Sequence, residues 1–181
     1  MLRPEQRRQL LTIARTTIAS ALDGSPRRWT PAEVDDDLRK PSGAFVTLDQ
    51  RDGSLRGCIG SIQPVEPLFQ AVALNALAAA FRDPRFSPVS REELDALHVE
   101  ISVMGPVEPL RNVEEIEVGR DGLIVRMGRS AGLLLPQVAT EYGWDRLTFL
   151  RQTCVKAGLP PDAWRDPNAS IEKFSAEVFG E

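Results

Sequence analysis

An arginine, one of the chain's two cysteines and two glycines stand in the run Leu55-Arg56-Gly57-Cys58-Ile59-Gly60. A thiol becomes a nucleophile or redox group when a cation, a base or a helix N-terminus stabilises its thiolate. Arg56 shares a strand face with Cys58 if side chains alternate through this run, and a helix beginning near Pro67 could turn its positive end toward them. A guanidinium also matches carboxylate or phosphate, and Gly57 and Gly60 would let backbone N–H groups approach the same anion. Asp83-Pro84-Arg85-Phe86 adds a second arginine, an acid and an aromatic ring. The candidate ligand-binding set is therefore Arg56, Gly57, Gly60, Asp83, Arg85 and Phe86, with Cys58 as the candidate catalytic residue.

Each of these residues also has a purely architectural reading. Free cysteine often serves as a small buried hydrophobe. Arg85 can pair with Asp83 and pin a turn, and Arg56 can pair with a surface acid. His98, the only histidine, is the sole candidate base for a Cys–His pair, but the alternation from Leu97 to Val103 sets it on the solvent side of a strand. Cys154 lies mid-helix beside Leu150 and Val155, where core packing is the default. With two cysteines, one histidine and no ligand spacing among them, no intrinsic transition-metal site and no cofactor are expected. Asp35, Asp36 and Asp37 lack metal-loop spacing and read as a solvated helix face. Trp29, Trp144 and Trp164 are too scattered for a base-stacking platform.

Around this set, 181 residues at 42% hydrophobic and 27% charged can build one domain with a real core. A net charge of −4, with arginines interleaved among acids, disfavours generic nucleic-acid binding. No apolar run approaches the ~18 residues of a membrane span. Met1 to Gln6 lacks the apolar core of a signal peptide, so a cytoplasmic location with reduced cysteines is expected.

The positioning elements follow from periodicity. Leu10, Ile13, Ala14, Ile18 and Leu22 predict a helix over 4–22, ended by Gly24 and Pro26. Thr30-Pro31-Ala32-Glu33 is a capping box opening a short helix to about Leu38, inside a connection over 25–42 that could form a smaller lobe or loop insertion. Gly43 to Leu48 and Leu55 to Ile62 read as a hairpin about Asp52-Gly53, with the two strand glycines implying a bulge or a close backbone approach. Pro67 to Arg82 is apolar nearly all round and predicts a buried helix, stopped by Asp83-Pro84. Ser90 and Glu93 make a second capping box, and the next strand closes at Gly105-Pro106. Beyond it, one helical turn at 113–116, strands at 116–127 and 131–135, helices at 136–141 and 146–157 and a last strand at 172–179 complete the chain. Without a steady β-α-β rhythm the class is α+β: a mixed, largely antiparallel sheet packed by helices, with a larger and a smaller lobe.

Taken together, Gly43 to Leu48, Leu55 to Gly60, Asp83 to Phe86, Glu100 to Val103, Gly122 to Val125, Leu134 to Ala139 and Lys156 to Leu159 resemble, in the same order, the AMMECR domain family. Its prokaryotic members are called AmmeMemoRadiSam system protein A. The resemblance spans nearly the whole chain, and the Leu55–Gly60 run is the family's hallmark. It implies one domain with a larger lobe that carries the hallmark, radical SAM and Memo-like proteins as partners, and a pathway in which RNA modification has been considered. It implies no established reaction. The expected function is thus binding of a small anionic or nucleotide-like ligand at Leu55–Gly60, the alternative being a non-catalytic scaffold for those partners. Many family members carry histidine in the glycine-flanked turn where this chain has Asp121, so a mechanism needing an imidazole there does not transfer.

Overall fold

The computed structural model describes residues 1–181, which divide into two compact units: Met1–Met104 with Glu177–Glu181, and Gly105–Ala176. The elements are α-helices and a largely antiparallel sheet, an α+β arrangement.

In the larger unit, α1 (Pro4–Leu22) starts with proline in its first turn, where the missing N–H costs nothing, and Gln6 Oε1 accepts from Arg3 N at 2.8 Å. It buries Leu10, Ile13, Ala14 and Ile18, the face that the helical period marks out. The strands are β1 (Ala44–Asp49), β2 (Leu55–Ser61) and β3 (His98–Pro109, counted in this unit as far as Met104), with β1 central and antiparallel to both neighbours. Ala44, Val46 and Leu48 point into the core, and Phe45, Thr47 and Asp49 lie on the opposite face. Helix α2 (Leu68–Phe81) covers the core side of β1 and β2 and packs on α1. Its Phe69 is fully buried, which contributes on the order of 2–3 kcal/mol of hydrophobic stabilisation.

Several local expectations differ from what forms. Residues 31–38 are not one helix but two 3₁₀ turns, Pro31–Glu33 and Asp36–Arg39, because Val34 is extended between them and buries its side chain. Asp35 then restarts the chain by accepting from Asp37 N, and the buried Gln6 amide donates to both Asp35 and Asp37. These acids are fastened to α1 as well as solvated. The strand after α3 (Arg91–Leu94) also does not close at Gly105-Pro106. It continues to Pro109, since proline is tolerated where no ladder N–H is required.

In the smaller unit, β4 (Asp121–Met127) runs antiparallel to β5 (Ser130–Leu134) and to β6 (Ser170–Gly180). The predicted strand over 116–127 forms only from Asp121, because 117–120 make a turn in which Asp121 N donates to the Glu117 carbonyl at 2.9 Å. Helix α4 (Pro136–Glu141) precedes α5 (Arg146–Lys156), which is capped where the Asp145 carboxylate accepts from Thr148 N at 2.7 Å. Leu123, Val125, Phe149, Leu150 and Cys154 form this unit's core.

Candidate functional site

The hallmark run is strand β2, and its chemistry is set by an irregularity in the ladder. Leu48 opposes Gly57 and Asp49 opposes Leu55, so Arg56 is the extra residue of a β-bulge. The simple alternation that would place Arg56 beside Cys58 on one face therefore breaks between them. Arg56 is 6% exposed and its guanidinium turns under the segment after α2. There Nε and one terminal nitrogen donate to Glu93 at 2.9 and 3.2 Å, and the terminal nitrogens donate to the Ser87 and Pro88 carbonyls at 2.9 and 3.5 Å. Burial of this charge is tolerated because a bidentate carboxylate and two carbonyls replace water. Glu93 also closes the capping box of α3 by accepting from Ser90 N at 2.8 Å. The Arg56 guanidinium, first, and the Ser90 N–H hold its carboxyl below the ordinary glutamate range.

Gly57 and Gly60 answer to close packing. A Cβ at Gly57 would collide with the Ala79 carbonyl oxygen of α2, and one at Gly60 with the Phe45 ring and the Ala44 carbonyl oxygen. The contact at Ala79 also orients the helix: its C-terminal half lies against Gly57, about 16 Å along the axis from Leu68 at 1.5 Å per residue. The positive N-terminus of α2 is not placed to activate Cys58.

Cys58 is held by its backbone. Its N–H donates to Asp83 Oδ2 at 2.9 Å, and its carbonyl accepts from an Arg85 terminal nitrogen at 3.3 Å. Both groups thus point away from β1, on the outer side of strand β2, where Asp83 and Arg85 side chains stand in for a neighbouring strand. The Thr47–Cys58 pair is consequently of the close, non-hydrogen-bonded kind, and Thr47 Oγ1 lies 3.3 Å from Cys58 Sγ. The thiol is half-buried on the face that also carries Thr47 and, on β3, Glu100 opposite Thr47.

Asp83 is the keystone of this clamp. Its nearly inaccessible carboxylate accepts from Cys58 N, Arg85 N and two guanidinium nitrogens of Arg85, at 2.7 to 3.1 Å. Arg85, first, with the two backbone N–H groups holds the Asp83 carboxyl far below the ordinary carboxylate range, against the opposing effect of burial. The Arg85 guanidinium is raised in turn by Asp83 and remains half-exposed, 5.4 Å from the centre of the Phe86 ring. Arg56 lies 5.9 Å from the same ring.

The structure thus gathers Cys58, Asp83, Arg85 and Phe86 at one point of β2, with Arg56 buried beside them. His98 is elsewhere, opposite Asp49 and next to Gly180. Thr47, Ser87 and Glu93 complete the arrangement. Glu93 was legible only as a capping residue, and no sequence signal pairs it with Arg56. Glu93 also lines a cavity of about 290 Å3 with Gln50, Arg51, Asp52, Ala96 and Leu97. No cluster of His, Cys, Asp and Glu side chains suited to a metal is present. In the smaller unit, Asp121 is buried and bound by Arg120 at 2.8 and 3.1 Å and by Glu117 N, so the carboxylate takes a structural place in its turn.

No helix is long and apolar enough to cross a membrane. A protein of Methanothermobacter thermautotrophicus is similar to this chain at 50% identity over 184 residues, covering 98% of this chain and 95% of that protein. A protein of Thermococcus gammatolerans is 46% identical, covering 95% and 88%. The crystal structure of the uncharacterised protein PH0010 from Pyrococcus horikoshii superposes with a TM-score of 0.90 at 43% identity, over 99% of this chain and 93% of that one. The AMMECR1 family model matches residues 11–179, and the chain belongs to the AMMECR1 family.

Proposed function

We propose that the larger unit is a binding module whose recognition point is the Cys58 thiol together with the half-exposed Arg85 guanidinium and the Phe86 ring. The ligand is a small anionic or nucleotide-like molecule, and the setting implied by the family resemblance is a modification pathway shared with radical SAM and Memo-like proteins, RNA modification among its chemistries. One observation carries this reading. Asp83 and Arg85 take both backbone groups of Cys58 and so fix a half-buried thiol, a cation and a ring at one place. Such preorganisation lowers the ordering cost of binding. Arg56 supports the platform from beneath rather than meeting the ligand, since its donors are engaged by Glu93, Ser87 and Pro88.

Two-dimensional amide spectra recorded with adenosine 5′-monophosphate and with inorganic phosphate test the proposal. Saturable shifts at Cys58, Arg85 and Phe86, weakened in Cys58→Ser and in Arg85→Gln, are expected. Spectra unchanged at millimolar ligand, or shifts that both variants leave intact, would refute it.

The internal saturation of Arg56, Asp83 and both glycines favours a second reading, in which the hallmark braces a scaffold for the radical SAM and Memo-like partners. Co-purification of those two proteins with the tagged chain, unaffected by Cys58→Ser, is the result this reading expects.

A further inference from the structure

A separate cavity of about 390 Å3 opens in the larger unit between the segment Pro26–Trp29, Thr17 of α1 and the α2 side chains Gln70, Ala73, Leu74 and Leu77. This is within the roughly 300–1,000 Å3 typical of small-molecule sites. Its floor is apolar and left uncovered, with Leu74 56% exposed. Its wall is the Trp29 ring, and that ring is anchored. The indole Nε1–H donates to Thr17 Oγ1 at 2.9 Å, and the same hydroxyl donates to the Ile13 carbonyl at 2.6 Å. Arg27 lies over the Trp29 ring at 4.1 Å, its backbone N–H donates to Ser20 Oγ at 2.9 Å, and its guanidinium is neutralised by Glu33 at 2.8 Å. The cavity is therefore formed before anything enters it, which spares a ligand the cost of ordering the wall.

Charge selects the ligand. Arg27 is paired, but Arg28, exposed at the rim, has no acidic partner. An apolar floor, an aromatic wall and one unneutralised guanidinium match a molecule with an apolar body and a single anionic head. The apolar floor from Ala73 to Leu77 extends only about 6 Å along α2, at 1.5 Å per residue. A helical peptide anchors through residues i to i+7 and needs nearly twice that length, so a small molecule fits better.

We propose that this cavity is a binding site for a small aromatic or aliphatic monoanion, seated against Trp29, Leu74 and Leu77 with its anionic group on Arg28. The site shares no residue with Cys58 and Arg85, and the two can fail independently.

The test uses the intact chain and 2-naphthoate as the probe, followed by amide and indole N–H shifts, with neutral 2-naphthamide as the control. Saturable shifts are expected at the Trp29 indole and along 70–77. Binding should weaken about tenfold for the amide and for Arg28→Ala, the scale of one lost charge-assisted contact. Leu74→Asp, a change at an exposed position, should abolish it. The proposal is overturned if no saturable shift occurs at millimolar naphthoate, if the shifts map elsewhere, or if acid and amide bind equally. It is also overturned if naphthoate is silent while an acidic amphipathic helical peptide shifts the same resonances, which would make the cavity a protein-docking groove.

Discussion

Removing the Glu93 carboxylate is the sharpest probe of the hallmark strand. It leaves Arg56, 6% exposed, with two carbonyl acceptors and an uncompensated charge. Two charge-assisted hydrogen bonds are lost, each worth roughly 1.5–3 kcal/mol where water cannot replace them. Here the Glu93 side chain is 41% exposed, so solvent screens the pair and can occupy the vacated space. Losing the capping bond to Ser90 N adds about 1 kcal/mol. The expected cost is about 2–3 kcal/mol for Glu93→Ala and about 1–2 kcal/mol for Glu93→Gln, which retains a capping acceptor. Urea unfolding of Glu93→Ala, Arg56→Met and the double variant measures the coupling directly, with about 1–2 kcal/mol expected. A coupling under about 0.5 kcal/mol would refute the claim that this pair anchors β2. The pH dependence has a fixed sign. The Glu93 carboxyl is lowered in the fold chiefly by Arg56, so its contribution is complete above the unfolded glutamate value and fades as pH falls through the folded one. Wild type and Glu93→Gln should converge in stability on acidification.

Gly57→Ala sets a methyl against the Ala79 carbonyl oxygen, a backbone atom with little room to yield, and should cost about 1–3 kcal/mol in thermal or urea unfolding. Asp83→Asn removes a carboxylate lowered chiefly by Arg85; because its folded value is depressed, the wild-type advantage should be full above about pH 5 and lost only in strong acid, which stability curves of the two proteins against pH will show. Titration with a disulfide reagent should find one accessible thiol, absent in Cys58→Ser. Cys154 is fully buried with its thiol pushed up by burial, and should react only on unfolding. Equal reaction rates for both thiols in the native protein would contradict the placement of Cys58.

Local chemistry was written plainly in the chain. The apolar period of 4–22, the all-round apolarity of 68–81, the Asp52-Gly53 hairpin and the Ser90–Glu93 box each depend on neighbours within a few residues, and each formed where expected. The family, too, was legible, because short motifs in a fixed order can be read without knowing any long-range contact. The glycines announced a bulge or a close approach, and β2 has both.

What lay beyond the sequence was long-range geometry. One inserted residue at Arg56 separates the surroundings of two side chains that simple alternation would put together, and its effect depends on register against β1. The partner of Arg56 is Glu93, 37 residues away, and the chain holds 26 acids with nothing local to choose among them. The direction of α2 decided that its C-terminal half, not its positive N-terminus, meets the hallmark strand. Most elements and the family could be read from the chain because they rest on short-range pattern, while 31–38 and 117–120 folded otherwise. That Arg56 is a buried brace, with Cys58 half-buried and Arg85 exposed, follows from folding itself, because burial and pairing belong to surfaces that meet only then.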